Sequence, residues 1–446
     1  MDLISQAIRR HISRRRFLKG GGSLLALPFL SGISGTMLAG CSSSSSASNR
    51  TDTDKYNTQL VVLGSSGGVG YWPGSNRASS SSALVVNDTI YLVDLGQGSM
   101  ARLNEAFNTQ SVLNADDSYM DNPSSTFLNK IKALFFTHIH PDHIADYANL
   151  LLIGAGSQLG SPALGWGEKP LKVIGPCDRG QPDFNKNPFI QEDALADWIF
   201  QTDSADPDRI TSTPGTIQMT DLIFQGVAQA VNDLMLDDGY PNYRSLIDVS
   251  EIGNPLEAQG SPTCPLTAPF QIYPAGGGQD ENGVSVTATL VDHHQVYPAF
   301  AFRFDTPDGS VVFSGDTGAN TTADRYLVER DPDLANGNLQ MLADGADILV
   351  HEVIDTAWVN QMFGDPDPAS PYYVLKEHML NAHTPIERVG QVAAYCNVKT
   401  LVLNHIVPGM APISHLEQAQ QNFPGNLIIS QDLMRIGVST QGGVVL

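Results

Sequence analysis

The sequence predicts an α/β fold, on three observations. From Leu60 onward, short β-branched runs alternate with Gly or Asp turns and helical stretches, which reads as layers of sheet and helix rather than a sandwich of sheets alone. Hydrophobic residues make up 41% of the 446-residue chain, enough to bury a large core. No apolar run of about twenty residues lies beyond the N-terminus, so no membrane-spanning helix is expected in the body of the chain.

Charge narrows the partners. Lys and Arg total 25 against 47 Asp and Glu, a formal charge of -22. The first forty residues hold six bases (Arg9, Arg10, Arg14, Arg15, Arg16, Lys19) and one acid, Asp2, so the remainder carries -27. Polyphosphate affinity comes from Lys and Arg displacing condensed counterions, so no nucleic-acid partner is expected.

The chain begins with an address. Ser13-Arg14-Arg15-Arg16-Phe17-Leu18-Lys19 precedes a modest apolar stretch from Leu24 to Leu38. This resembles a twin-arginine export signal. Leu38-Ala39-Gly40-Cys41 resembles a bacterial lipobox, with Cys41 as the lipidated residue. Ser42 to Ser46 and the polar residues to Asn57 suit a flexible tether. The expected organisation is a signal over 1–41, a tether over 42–57 and one α/β domain over 58–446. Together these imply a protein exported to the periplasmic or cell-surface side, held to a membrane by its lipid alone. After Cys41 only Cys177, Cys264 and Cys396 remain, so at most one disulfide forms, Cys177 with Cys264 being one pairing the count allows.

Within the domain, Ala83–Val86 and Thr89–Val93 flank Asn87-Asp88, a hairpin signal. Ile131–Thr137 is a continuous apolar strand, expected to be buried on both faces. Further strands are expected at Ser285–Val291, Ala299–Phe304, Ser310–Ser314, Ile348–His351 and Thr400–Asn404, with helices at Thr220–Asp237 and Thr384–Cys396. Between about Gly175 and Gly283, Pro, Gly, Asp and Asn accumulate and periodicity weakens, which reads as a long insertion in one domain.

The most informative stretch is Thr137-His138-Ile139-His140-Pro141-Asp142-His143. A strand running into a tight Pro-Asp turn lets two imidazoles point to one side, with Asp142 and His143 at the mouth of the next helix. Neutral imidazoles with carboxylates suit borderline divalent metals, zinc first, without thiolate. Leu290-Val291-Asp292-His293-His294, Phe313-Ser314-Gly315-Asp316-Thr317 and Val402-Leu403-Asn404-His405 add later strand-end ligands. Seven ligands converging from strand C-termini would hold two metals sharing a bridging carboxylate.

This set resembles the metallo-β-lactamase superfamily, in the branch of ribonuclease Z and the zinc arylsulfatases. The resemblance starts at Leu63-Gly64-Ser65-Ser66-Gly67-Gly68, continues through Val93-Asp94-Leu95-Gly96-Gln97-Gly98, His351-Glu352 and His383-Thr384, and ends at Phe423–Asp432, which is similar to the branch's last strand. It implies a four-layer αββα sandwich. It also implies one zinc on His138, His140 and His293, a second on Asp142, His143 and His405, and Asp316 between them. Manganese or iron(II) would suit the same ligands. His293 is preferred over His294 because the family histidine sits two residues past the strand's Leu/Val pair. Asp94 is implied to orient a ligand imidazole, His351 and Glu352 to form a buried pair, and His383 to donate a proton. Asp142 and His383 are the implied catalytic pair. His378 and His415 receive no role.

The implied chemistry is attack by a metal-bridging hydroxide on a small anionic sulfate or phosphate ester, with carboxylic ester or lactone hydrolysis, or non-catalytic binding, as alternatives. Asp316 stands where one β-lactamase group has cysteine, and His140 where flavodiiron proteins have Glu, which disfavours both activities. Transfer-RNA processing is not expected either, because only 23 positions separate His293 from Asp316, with no room for a basic arm. Thr356 to His378 is expected to cover the site, with Trp358, Met362, Phe363, Tyr372 and Tyr373 lining a pocket. A homodimer is compatible with the sequence.

Overall fold

The computed structural model describes residues 55–120, 125–161, 168–179, 213–253, 267–294, 296–318 and 337–446. The export signal, Cys41, most of the tether, Cys264 and the centre of the 175–283 stretch lie outside the described residues.

Two mixed sheets form the middle of the fold. The first is built by β1 (Thr58–Gly64), β2 (Ser81–Val86), β3 (Thr89–Val93), β4 (Ile131–Phe135), β5 (Leu171–Pro176) and β6 (Ile247–Ile252). The second holds β7 (Phe270–Tyr273), β8 (Ser285–Leu290), β9 (Phe300–Asp305), β10 (Ser310–Phe313), β11 (Ile348–Ile354), β12 (Thr400–Val407) and β13 (Asn426–Ile429). The chain then returns to the first sheet as β14 (Arg435–Ser439) and β15 (Gly442–Val445). Spatial orders are β15-β14-β1-β2-β3-β4-β5-β6 and β13-β12-β11-β10-β9-β8-β7.

Local chemistry explains the joints. Asn87 and Asp88 take left-handed backbone, φ 49° and 67°, which matches the twist of the flanking strands and closes β2 onto β3 in the register Val86↔Thr89. From β3 to β6 the strands are parallel, as are β10 to β13, and the inner strands of both sets are almost wholly buried while the edge strands β6 and β13 are partly exposed. The second sheet's β8, β9 and β10 are antiparallel neighbours.

The inner faces of the sheets meet in one core, with Leu84, Tyr91 and Phe135 opposite Phe300, Phe302, Phe304 and Val350. The outer face of the first sheet is covered by α1 (Ser99–Phe107), the short α2 (Pro141–Ile144), α3 (Tyr147–Ile153), α4 (Thr216–Gly226) and α5 (Ala228–Asp237), through Leu103, Tyr147, Met219 and Val231. The second sheet is covered by α6 (Asn338–Ala343) and α9 (Ile386–Tyr395), through Leu342 and Val389. Between those two run α7 (Thr356–Phe363) and α8 (Pro371–Ala382), and α10 (Ile413–Leu416) follows β12. The result is the αββα order the sequence predicts.

Three details differ from the sequence reading. The helix expected over Thr220–Asp237 is two helices, split where Gly226 meets Val227. The described parts of 175–283 are woven into the sandwich: β6 and β7 are edge strands of the two sheets, and Met219, Val231, Tyr243 and Leu246 are core residues. Phe423–Asp432 does contain β13, but it is not the last strand, because β14 and β15 close the first sheet against β1.

A buried carboxylate ties the two sheets at one end. Asp280 Oδ2 accepts from the hydroxyls of Tyr91 on β3 (2.5 Å) and Tyr273 on β7 (3.0 Å). Its Oδ1 accepts from the backbone N–H of Asn282 (2.9 Å) and Val284 (3.0 Å), and Lys132 lies 3.5 Å away. Burial pushes the Asp280 carboxyl upward, but these donors more than offset it and hold it below the ordinary carboxylate range. Asp280→Ala is expected to lose about 2–4 kcal/mol of stability, read by urea unfolding at neutral pH. Because the folded carboxyl is the stronger acid, its contribution is present above an unfolded pKa of about 4 and disappears as pH falls through the folded value. The variant should therefore converge on wild type in acid; a gap that persists below that range would refute the account.

Candidate metal centre

The site forms where strands of both sheets end. Asp94, just past β3, takes φ 58° and turns its carboxylate onto the end of β4, where it accepts from Thr137 N–H (2.8 Å) and Thr137 Oγ (2.9 Å). That hold keeps the chain extended into His138 and His140. His140 is the residue before α2, Pro141 starts the helix, and the first turn presents Asp142 and His143. From the second sheet, His293 follows β8 and Asp316 follows β10 through Gly315. Gly315 has φ 60°, and a Cβ there would lie 2.5 Å from Phe300 O, so only glycine makes that turn.

His405 is aimed by a bulge. Along β11 and β12, His351 pairs with Leu403 but Val353 pairs with Ile406. Asn404 and His405 thus stand opposite Glu352 alone, and His405 takes φ 43°. The bulge turns the imidazole toward the strand ends.

These elements converge on one oxygen. Asp316 Oδ2 lies 3.7 Å from His138 Nε2, 3.4 Å from His143 Nε2, 3.8 Å from His293 Nε2 and 3.2 Å from His405 Nε2. His383 Nδ1 is 4.0 Å away. Of four groups of side chains among the described residues that could hold a metal, two share Asp316: His138, His140, His293 and Asp316 in one, Asp142, His143, His405 and Asp316 in the other; His293 with His378 and His383, and Glu352 with His383 and His405, form the remaining two. His293 Nε2 also lies 3.3 Å from His140 Nδ1, whereas the ring of His294 faces His378 instead.

The residues fit a metal. His138 Nε2, His143 Nε2, His405 Nδ1 and Asp316 Oδ1 are buried with no hydrogen-bond partner, a costly arrangement unless a cation completes them. Burial holds the His138 and His293 imidazoles well below their ordinary pKa, in the neutral form that ligation requires. Burial would raise Asp316, but His405 and His143 override it and keep the carboxylate ionised.

Neighbouring groups fix the ligands' orientation. His143 Nδ1 donates to Asp94 Oδ2 (2.8 Å), and His293 Nδ1 donates to Ala382 O (2.8 Å). Asp142 Oδ2 accepts from Gly68 N–H (2.7 Å) and from His405 Nε2 (3.1 Å). Glu352 reaches outward to the residues after α8, accepting from His383 Nδ1 (3.2 Å) and Thr384 N–H (2.5 Å). Burial depresses His383, but the Glu352 carboxylate outweighs it and raises the imidazole above its ordinary pKa. His351 donates from Nδ1 to Glu352 O (2.7 Å) and lines a small cavity beneath Asp316, so it belongs to neither cluster.

Two histidines without an expected role acquire surroundings here. His378, on α8, packs its ring 5.8 Å from His293 and 6.1 Å from His383, and burial lowers its pKa to about 4. His415 donates to Asp355 Oδ2 (2.7 Å), the N-cap of α7, and is structural. Cys396 lies in the outer core, its thiol pushed up to about 12 by burial.

With the geometry in view, comparison places the chain among known proteins. No family model matches it. Ribonuclease Z of Mycobacterium bovis (strain BCG / Pasteur 1173P2) is 23% identical over 385 residues, covering 85% of this chain and 98% of that protein. The αββα order, the strand-end ligands and this likeness agree. The fold is the four-layer αββα sandwich expected from the sequence. Among solved structures, the chain is similar to human tRNase Z, short form, at 16% identity and TM-score 0.47, covering 85% of this chain and 99% of that one. It is also similar to the metallo-β-lactamase fold protein YhfI from Bacillus subtilis, at 16% identity and TM-score 0.44, over 85% and 98% of the two chains. This chain thus has ribonuclease Z proteins among its distant relatives and a histidine–aspartate site that fits metal.

Gly67 marks how tightly the second cluster is framed. A Cβ there would lie 2.1 Å from His405 Cε1. Gly67→Ala should displace that imidazole and weaken metal binding by about tenfold or more, read by competition with a chromophoric chelator. Wild-type affinity in a folded variant would refute the close-approach account.

Proposed function

We propose that this chain is an exported, lipid-anchored dinuclear zinc hydrolase of small sulfate or phosphate esters. The observation that carries the reading is the pair of ligand clusters sharing Asp316, with the His383–Glu352 pair beside them. Bound in these ligands, divalent zinc supplies Lewis acidity and a nucleophile at neutral pH.

The chain's own groups do the rest. Asp94 and Ala382 O fix the ring orientations of His143 and His293, so the ligands need little reorganisation. Gly68 N–H and His405 hold Asp142 in place. His383, whose pKa the Glu352 carboxylate raises, donates through Nδ1 to that carboxylate, and its imidazolium form carries the second proton on Nε2. As the bond from phosphorus or sulfur to the leaving oxygen breaks, that proton passes to the oxygen, so an alkoxide need not depart as an anion.

Small substrates are favoured over polynucleotides by the overall charge of -22 and by the segment between His293 and Asp316, where β9 and β10 leave no long arm. Export is supported by the twin-arginine and lipobox motifs around Arg14-Arg15 and Cys41. Cys41→Ser should release the protein from the membrane fraction on immunoblots; retention would remove the lipid anchor from the proposal.

Asp316→Ala should abolish hydrolysis of nitrophenyl sulfate and bis-nitrophenyl phosphate, since both clusters lose their common ligand; unchanged turnover would sink the proposed site. His383→Ala should cost about 10²- to 10⁴-fold on esters of poor leaving groups, and far less on nitrophenyl esters. Equal losses in steady-state kcat on both would exclude His383 as the proton donor.

A further inference from the structure

One imidazole at the mouth of the centre belongs to neither cluster that shares Asp316. His378 lies near the end of α8, and His383 follows that helix. The His378 ring packs 5.8 Å from that of His293 and 6.1 Å from that of His383. Nitrogens of the three rings lie within 4.8 Å of one another. Among the described residues, none holds the His378 nitrogens by a hydrogen bond. The helix itself is secured elsewhere, by Met379 and Leu380 packing toward Ile354, Val359 and Val407. Packing of α8 therefore does not account for an imidazole at this position.

The centre opens on this side. His138, His143 and His405 are buried, whereas His140 and His378 are half-buried. Over His405 the loop after β1 closes the way: a Cβ on Gly67 would strike that ring, and Trp72 folds back to donate from Nε1 to Gly67 O (2.8 Å). Trp72 is backed in turn by Trp358, met edge-on at 5.3 Å. An anion reaching the ligands passes His140 and His378.

The three rings do not make a third cation site. His293 Nδ1 donates to Ala382 O (2.8 Å), so its lone pair is on Nε2. That atom is turned into the first cluster, 3.3 Å from His140 Nδ1 and 3.8 Å from Asp316 Oδ2. His378 and His383 then remain, fewer than the roughly three or four protein ligands of a zinc site. What they can share is an oxyanion. An imidazole offers at least one N–H in either protonation state. Nitrogens 4.8 Å or less apart leave room for an oxygen about 2.8 Å from each.

We propose that His378 is a substrate-contacting residue: it donates to an oxygen of the anionic head that stays on phosphorus or sulfur, beside the leaving oxygen that faces His383. The proposal deepens the hydrolase reading and rests on it for the identity of the head group. His378 makes a hydrogen bond and transfers no proton, which separates its part from that of His383.

Inorganic phosphate, which has head oxygens and no ester bond, probes the contact apart from turnover. The zinc-loaded full chain is titrated with phosphate by calorimetry, with zinc content measured for each variant. His378→Phe keeps a ring in place and removes the donor, whereas His378→Gln keeps a donor and removes the ring. Phosphate is expected to bind His378→Phe about tenfold or more weakly, the loss of one hydrogen bond to a charged acceptor. His378→Gln should stay much nearer wild type, with zinc content unchanged in both. Wild-type affinity in His378→Phe, equal losses in the two variants, or no phosphate binding to wild type overturns the proposal. Loss of zinc from His378→Phe overturns it as well, by making the residue a metal ligand. If the two variants split as expected but no sulfate or phosphate ester is hydrolysed, the contact stands and the hydrolase reading fails. If esters are hydrolysed and His378→Phe matches wild type in kcat/KM, the hydrolase stands and the contact fails.

Discussion

One carboxylate oxygen organises this molecule. Asp316 Oδ2 has five imidazoles within 4.0 Å, supplied by the ends of three strands and two helices. A buried charge in that setting must be compensated, and imidazole nitrogens without partners must be completed. A cation held between them does both. The two sheets can therefore close on each other at this end only if all five rings arrive together, which makes the site a constraint on the fold as well as its product.

The backbone bears the cost of that convergence. Asp94 and His405 adopt left-handed conformations that non-glycine residues seldom take, and both touch the centre directly. Glycines at 67, 96 and 315 leave space where any side chain would strike His405, Asp142 O or Phe300 O. At the far end of the sandwich, Asp280 ties Tyr91 to Tyr273 and holds the sheets together by ordinary hydrogen bonding.

How much was legible beforehand depended on whether a feature was local. The Asn87-Asp88 turn, the His138–His143 cluster and the Pro141 helix start are written in adjacent residues, and each is found where the local pattern predicts it. β6 and β7 were read as part of an insertion because edge strands have weak alternation and turn-rich flanks. β14 and β15 were missed because β14 pairs with β1, at the opposite end of the domain's sequence, and β15 pairs in turn with β14. His378 and Trp72 carry no motif, and they gain meaning only beside His383 and Gly67.

By itself, then, the sequence determined the acidic charge and the strand ends that carry the histidine and aspartate motifs, since composition and strand-end motifs are properties of short segments; the layer order and the proposed ligand set came from the resemblance those motifs carry. Only the tertiary structure decided which histidine of the His293-His294 pair faces the centre, that a bulge turns His405 inward, and that Glu352 reaches His383. These depend on register between distant strands. A one-residue shift between β11 and β12 would turn His405 away while leaving every local pattern intact.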